Sequence, residues 1–254
     1  MKKFFVYISI LFSALIIISS CKKEEEPYEK IYHYSLINPT NAVLLKLYNE
    51  GYNVIGGDVF LGSQHGLENL NYFLNIEKIE GSLYIEGTQD LLTLSGLLNL
   101  RSIGGSFLFD ANNKIATMDG LDSLRTIGNN LIIRNTTLSS LNGLNHLQEV
   151  RGSIYLYNCS FLMDLQGLSS LTIIKGGLFI GRQHIDGNHR LESLNGLENI
   201  EEINFNIAIR QNIKLRDYCS LKEFLRNNPS NNMSISNNFY NPTIDDITAG
   251  DCSQ

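Results

Sequence analysis

Residues 81–104 read GSLYIEGTQDLLTLSGLLNLRSIG, and residues 105–128 follow at once as GSFLFDANNKIATMDGLDSLRTIG. Superposed, the two blocks share Gly81/Gly105, Ser82/Ser106, Leu94/Met118, Gly96/Gly120, Leu97/Leu121, Leu100/Leu124, Ile103/Ile127 and Gly104/Gly128. Self-similarity at a 24-residue period is the mark of a solenoid, whose units bury their apolar faces only against one another.

The unit is G-x-Φ-x-Φ, a variable turn, then Φ-x-x-Φ-x-G-Φ-x-x-Φ-x-x-Φ, with Φ apolar. Upstream it begins at Val59 and Leu61; downstream it recurs from Leu131, Ile154, Leu178 and, as a partial copy, Ile207. Strand spacings between copies are 24, 24, 24, 23, 24 and 29 residues, the longest carrying an insertion at 181–190. The Φ-x-Φ patch alternates as a half-buried strand does. The other two patches have spacings of three, which no strand would give, and suit tight corners or short irregular segments turning around one shared core. A helical array would need longer stretches at period 3.6. The corner glycines 96, 120, 143, 167 and 196 imply positive φ or close approach to the neighbouring coil. Asn112, Asn135, Asn188 and Asn212 each fall three residues before an apolar corner residue. They are either a stack that satisfies turn backbone from coil to coil or ordinary turn asparagines.

The run V-I-G-G-D-V-F-L at 54–61, the repeated G-x-L-x-I strands and the L-x-S-L-x-G-L-x-x-L-x-x-I corners resemble the receptor L domain. That family is the leucine-rich, right-handed β-helical module of insulin- and epidermal-growth-factor-type receptors and of bacterial surface lipoproteins. The resemblance implies a mainly β solenoid over residues 38–252 that binds ligand across its sheet. The Cys-rich modules and kinase of the animal receptors have no counterpart here, so growth-factor signalling is not implied.

Lys2-Lys3 and the apolar run 4–18 read as a signal peptide over residues 1–20, too short for a membrane span. The run ends Ile18-Ser19-Ser20-Cys21, which resembles a bacterial lipobox and implies lipidation of Cys21. Residues 21–37 then form a tether. Its Lys22-Lys23-Glu24-Glu25-Glu26 looks like the acidic export signals of Bacteroidota lipoproteins, implying an outer-membrane anchor and display at the cell surface. Asn38-Pro39 is expected to open a capping helix with Val43, Leu44 and Leu47 on its apolar face and Gly51 just past its end. At the other end a short helix to Arg226 and a strand near 233–236 are expected. Cys219 and Cys252 are expected to pair in an exported protein, and Cys159 to be a small buried turn residue.

A chain of 254 residues with 43% hydrophobic content suits one domain of about seven rungs. The net charge is −6, and residues beyond 20 are two units more acidic still, since the leader holds two lysines and no acid. That balance argues against nucleic acid. No phosphate-binding loop, zinc-protease helix or nucleophile elbow is present, and no cofactor is implied. Asp110-Ala-Asn112-Asn113 begins like a calcium loop, but Lys114 and Ile115 follow where ligands and a turn glycine are needed. His184, Asp186 and His189 on the insertion are a weak candidate for a divalent metal. Glu86 and Asp110 on neighbouring rungs are the one carboxylate pair that a β-helical carbohydrate-active enzyme would use.

Alternation turns the middle residue of each strand outward. Those residues are Phe60, Tyr84, Leu108, Ile132, Tyr155, Phe179 and Ala208, an apolar column. Beside it runs a mostly polar column: Gly62, Glu86, Asp110, Arg134, Tyr157, Gly181 and Arg210. Aromatic members, including Tyr157, suit interface anchors or platforms for sugar rings. The expected protein is a binding module for a protein or glycan; the alternatives are the enzyme and a structural envelope spacer. The oligomeric state is not legible in the sequence.

Overall fold

The computed structural model describes residues 28–62, 67–182 and 187–254. Each coil contributes one strand to each of two parallel sheets. The longer strands form a nine-stranded sheet in chain order: Leu36–Ile37, Val59–Leu61, Leu83–Glu86, Phe107–Asp110, Leu131–Thr136, Ile154–Cys159, Leu178–Ile180, Ile207–Arg210 and Met233–Ser236. At about 4.8 Å per rung the stack rises roughly 38 Å. The first and last of these strands lie outside the seven that the repeat displays.

The third apolar patch is not a corner, as expected from its spacing, but a second sheet. Its eight two-residue strands run from Ile31–Tyr32 through Ser102–Ile103 to Glu202–Ile203. Two residues cannot display an alternation: one points in (Ile79, Ile103, Ile127, Val150), and its neighbour is half-exposed. The middle patch forms the expected corners. The Leu97 N–H bonds the Leu94 carbonyl at 2.8 Å and Leu100 bonds Leu97 at 2.9 Å; Leu121 repeats this to Met118 at 3.1 Å and Leu124 to Leu121 at 2.9 Å. Such i to i+3 turns place residues three apart on one side. That is why a spacing of three buries every apolar member, and Leu121 is fully buried.

Two side-chain ladders stitch the coils together. Before the long strands, Ser35 Oγ accepts the Asp58 N–H at 3.0 Å and Asp58 Oδ1 accepts Ser82 N–H at 2.7 Å. Ser82 Oγ accepts Ser106 N–H at 3.0 Å, and Asn130 Oδ1 accepts Ser153 N–H at 2.8 Å. This accounts for the recurring G-S at the head of the repeat. After the strands runs a buried column of Thr88, Asn112, Thr136, Cys159, Asn188, Asn212 and Asn238. Asn212 shows the pattern: Oδ1 accepts the Asn188 N–H at 3.0 Å, and Nδ2 donates to the Ile180 carbonyl at 3.1 Å. Cys159 takes the same post, its thiol 3.6 Å from the Ile133 carbonyl. Burial pushes that thiol up to about 12, so it is a structural donor rather than a nucleophile.

Asn135 is not in the column. It sits one residue earlier, exposed, at φ 53°, and Thr136 fills the buried position. The corner glycines answer to both suggested needs. A Cβ on Gly96, Gly120, Gly143, Gly167 or Gly196 would lie 1.8–2.2 Å from a carbonyl oxygen of the preceding coil, and Gly120, Gly143 and Gly196 also have positive φ.

Sheet pairing reaches Ile31, so residues 31–37 belong to the solenoid and the expected tether is shorter than residues 21–37. The capping helix α1 spans Asn41–Asn49 and buries Leu44 and Leu47, whereas Val43 stays exposed. Its N-cap is Thr40, not Asn38: Thr40 Oγ1 accepts the Val43 N–H, while Asn38 has φ 45° and Oδ1 accepts the Gly62 N–H at 2.7 Å. Asn38 serves the neighbouring rung, so Pro39 lies outside the helix. Gly51 closes α1 in the left-handed region, with Gly51 N–H on Tyr48 and Tyr52 N–H on Leu47.

At the far end the corner turn persists at Cys219–Leu221, with Leu221 N–H on the Tyr218 carbonyl at 3.0 Å, and runs on into helix α2 (Lys222–Asn227); the expected strand is Met233–Ser236. The tail holds a further helix, α3 (Ile244–Ala249), opened by a capping box between Thr243 and Asp246. The single Ile247 buried on it leaves little periodicity to read. Cys219 and Cys252 are disulfide-bonded across 33 residues, a closure that contributes roughly 3–4 kcal/mol.

Candidate binding face

The outward residues of the long sheet stand in register. Phe60 pairs Tyr84, Tyr84 pairs Leu108, Leu108 pairs Ile132, Ile132 pairs Tyr155, Tyr155 pairs Phe179 and Phe179 pairs Ala208. Ile37 extends the column at one end and Ser234 at the other. Its members shield one another: most are half-buried, and Leu108 keeps only 8% of its surface. Phe60 and Tyr84 meet at 6.1 Å between ring centroids, tilted. Tyr155 and Phe179 stack at 4.9 Å with their planes 10° apart. The next rung offers only Ala208, so the stack ends against a methyl group.

The polar column is organised around Arg134. Its Nε donates to Asp110 Oδ2 at 2.7 Å, and a terminal nitrogen donates to the Tyr157 hydroxyl at 2.9 Å. The Tyr157 hydrogen bond foremost, with Asp110 adding and burial opposing, raises the guanidinium above its ordinary pKa, so it is permanently charged. Arg210 donates to Ser234 Oγ at 3.0 Å. Gly181 has φ 77°, and a Cβ there would lie 1.8 Å from the Arg210 carbonyl. The turn it permits brings the Arg182 guanidinium over the Tyr157 ring at 5.6 Å. A hollow of about 490 Å³ opens among these groups, floored by Tyr155, Phe179 and Ala208 and walled by Arg134, Arg182 and Arg210.

Glu86 and Asp110 are neighbours in register, but both Asp110 oxygens already accept hydrogen bonds, Oδ2 from Arg134 and Oδ1 from Asn135 Nδ2 at 2.8 Å. Asp110 is thus set as a clamp on Arg134. The same contacts, with Asn112 in the ladder, give the calcium-like run its structural role. Of the weak metal candidates, His189 is exposed, and His184 and Asp186 lie outside the described residues, as does Cys21. Among the described residues no cluster of metal-ligating side chains occurs, and no helix is long and apolar enough to cross a membrane.

Sequence reasoning lined up the columns but missed the hollow. Arg182 follows the strand and belongs to neither column. Only the backbone turn at Gly181 carries it back over the sheet, and a glycine after a strand is a weak signal for that.

The fold and face define a parallel β-solenoid with an ordered, partly aromatic outer surface. The family model of the receptor L domain matches residues 53–125, and over that stretch the chain is receptor L-domain-like. The coils beyond residue 125 continue the same two sheets without a break. No curated protein and no solved structure matches the chain.

Proposed function

We propose that this protein is a lipoprotein of the cell envelope, held in the outer membrane by acylated Cys21 and displayed at the cell surface, that binds a protein or glycan through the outer face of its long sheet. The observation that carries the binding role is the registered column from Phe60 to Ala208, with the arginine-walled hollow at its C-terminal end. Apolar outward residues contribute nothing to the core, and an ordered apolar patch with a polar rim is the usual anatomy of an interaction surface. The lipobox-like Ile18-Ser19-Ser20-Cys21 and the acidic run after it support the anchor and the location.

Two measurements test this reading. Cys21→Ala is expected to abolish fatty-acid labelling and to release the protein into the soluble fraction; unchanged fractionation rules out the anchor. Tyr84→Ser combined with Tyr155→Ser removes one ring from each aromatic pair, a loss of roughly 0.5–1.5 kcal/mol per pair. The double variant is therefore expected to stay folded and to melt about 2–12 °C lower. It should bind at least about tenfold more weakly, a loss of about 1.4 kcal/mol, to ligands found on a glycan array or in envelope extracts. Full-strength binding by a folded double variant places recognition elsewhere.

A further inference from the structure

We propose that the hollow binds a carboxylated sugar residue of an acidic polysaccharide, with the pyranose ring against Phe179 and the carboxylate among Arg134, Arg182 and Arg210. This deepens the binding role above and rests on it.

Charge is the first ground. The whole chain carries −6, yet the described residues lining the hollow include three arginines and no carboxylate. Asp110 neutralises one guanidinium through its 2.7 Å contact with Arg134, whereas Arg210 bonds the uncharged Ser234 hydroxyl, so positive charge at Arg210 faces the space. Two of these guanidiniums are positioned by the fold, Arg134 by Asp110 and Tyr157, Arg210 by Ser234. A third lies over the Tyr157 ring. Planar guanidiniums held in place suit a carboxylate, which they bind through paired N–H donors.

Shape is the second ground. The parallel stack of Tyr155 and Phe179 ends where Ala208 and then Ser234 replace aromatic residues in the column. That step leaves the outer side of the Phe179 ring with only a methyl group as its neighbour in register. An aromatic face beside charge-paired donors fits a ring that is apolar on one side and anionic at its edge. The volume of about 490 Å³ falls within the range of roughly 300–1,000 Å³ typical of small-ligand sites.

The sheet itself argues against an acidic peptide. Ile154–Cys159, Leu178–Ile180 and Ile207–Arg210 are each paired on both sides. No strand edge lies under the hollow for main-chain pairing, the usual way a sheet holds an extended peptide. A ligand there is held by ring faces and by its charged groups.

The experiment is titration calorimetry of the full chain in detergent with oligogalacturonate. Neutral galacto-oligosaccharide of equal length, a sulfated oligosaccharide and poly-glutamate are the comparison ligands. Oligogalacturonate is expected to bind, neutral sugar not measurably, and the other two anions at least about tenfold more weakly. Arg182→Gln with Arg210→Gln should weaken oligogalacturonate at least about tenfold, whereas Arg101→Gln, which removes an arginine paired with Glu77 away from this face, should not. Should the double variant misfold, Arg210→Lys keeps the charge and loses the planar fork, and a several-fold loss is expected. Equal binding of poly-glutamate or of the sulfated sugar overturns the proposal, as does unchanged affinity in a folded arginine variant. A neutral glycan or protein ligand that depends on Tyr84 and Tyr155 but not on the arginines would overturn it while leaving the binding role intact. Absence of any ligand on the sheet face removes both.

Discussion

Gly143→Ala is expected to lower the free energy of unfolding by about 2–5 kcal/mol, read as a shift in denaturant midpoint at unchanged slope. Two separate costs meet at this corner. The backbone has φ 102°, which L side chains rarely adopt, and a Cβ would stand 1.9 Å from the Met118 carbonyl oxygen of the preceding coil. That oxygen belongs to the backbone and moves only if two rungs separate. Two companion variants isolate the terms. Gly87 has φ 59° and nothing within 4 Å of its would-be Cβ, so Gly87→Ala carries the conformational cost alone, about 1–2 kcal/mol. Gly167 has no positive φ but would place a Cβ 2.1 Å from the Leu141 carbonyl, so Gly167→Ala carries the steric cost alone, about 1–3 kcal/mol. If Gly143→Ala costs no more than Gly87→Ala, the coils do not approach as closely as the stacking requires.

The corner glycines also show how much of this fold the sequence displays. A solenoid repeats its constraints, so each position is sampled once per coil and a need that is invisible in one copy becomes a column. Period, long-strand register, inward leucines and the pairing of outward residues were all legible this way. The short sheet was not, because a strand of two residues such as Ser102–Ile103 has no alternation to show. Helix α3 was not, because one buried residue, Ile247, is no pattern. At the N-terminus the local signal at Asn38-Pro39 was overridden by a tertiary one: Asn38 is spent on the Gly62 N–H of the next rung, and Thr40 caps the helix instead. The binding face divides in the same way. The column of Phe60, Tyr84, Tyr155 and Phe179 follows from counting, whereas the hollow depends on a turn at Gly181 that returns Arg182 over Tyr157.

The asparagine column was misnumbered for a reason that leads to the second large effect. Counted back from the corner, Asn135 matches Asn112; counted forward from the strand, the column falls three residues after Phe109, Ile133, Leu156 and Ile209, which gives Asn112, Thr136, Cys159 and Asn212. The coil starting at Leu131 is one residue shorter than its neighbours, and the missing residue lies between those two reference points. The strand is the right origin because the ladder groups bond to strand carbonyls: Asn112 Nδ2 to Ile85 at 2.7 Å, Asn188 to Leu156 at 3.0 Å and Asn238 to Ile209 at 2.9 Å. Asn212→Ala is accordingly expected to cost about 2–6 kcal/mol. It strips the buried Asn188 N–H of its acceptor and the Ile180 carbonyl of its side-chain donor, and each buried group left unsatisfied costs roughly 1–3 kcal/mol. Asn135→Gly, by contrast, removes exposed contacts to Asp110 and Asn158 and places glycine at φ 53°, a conformation it adopts freely. Its change is expected to stay within about 1 kcal/mol. Equilibrium denaturation of the two variants side by side decides between a ladder that holds the coils together and a set of turn residues. Equal small losses at positions 212 and 135 would mean the buried column contributes no more than an ordinary turn.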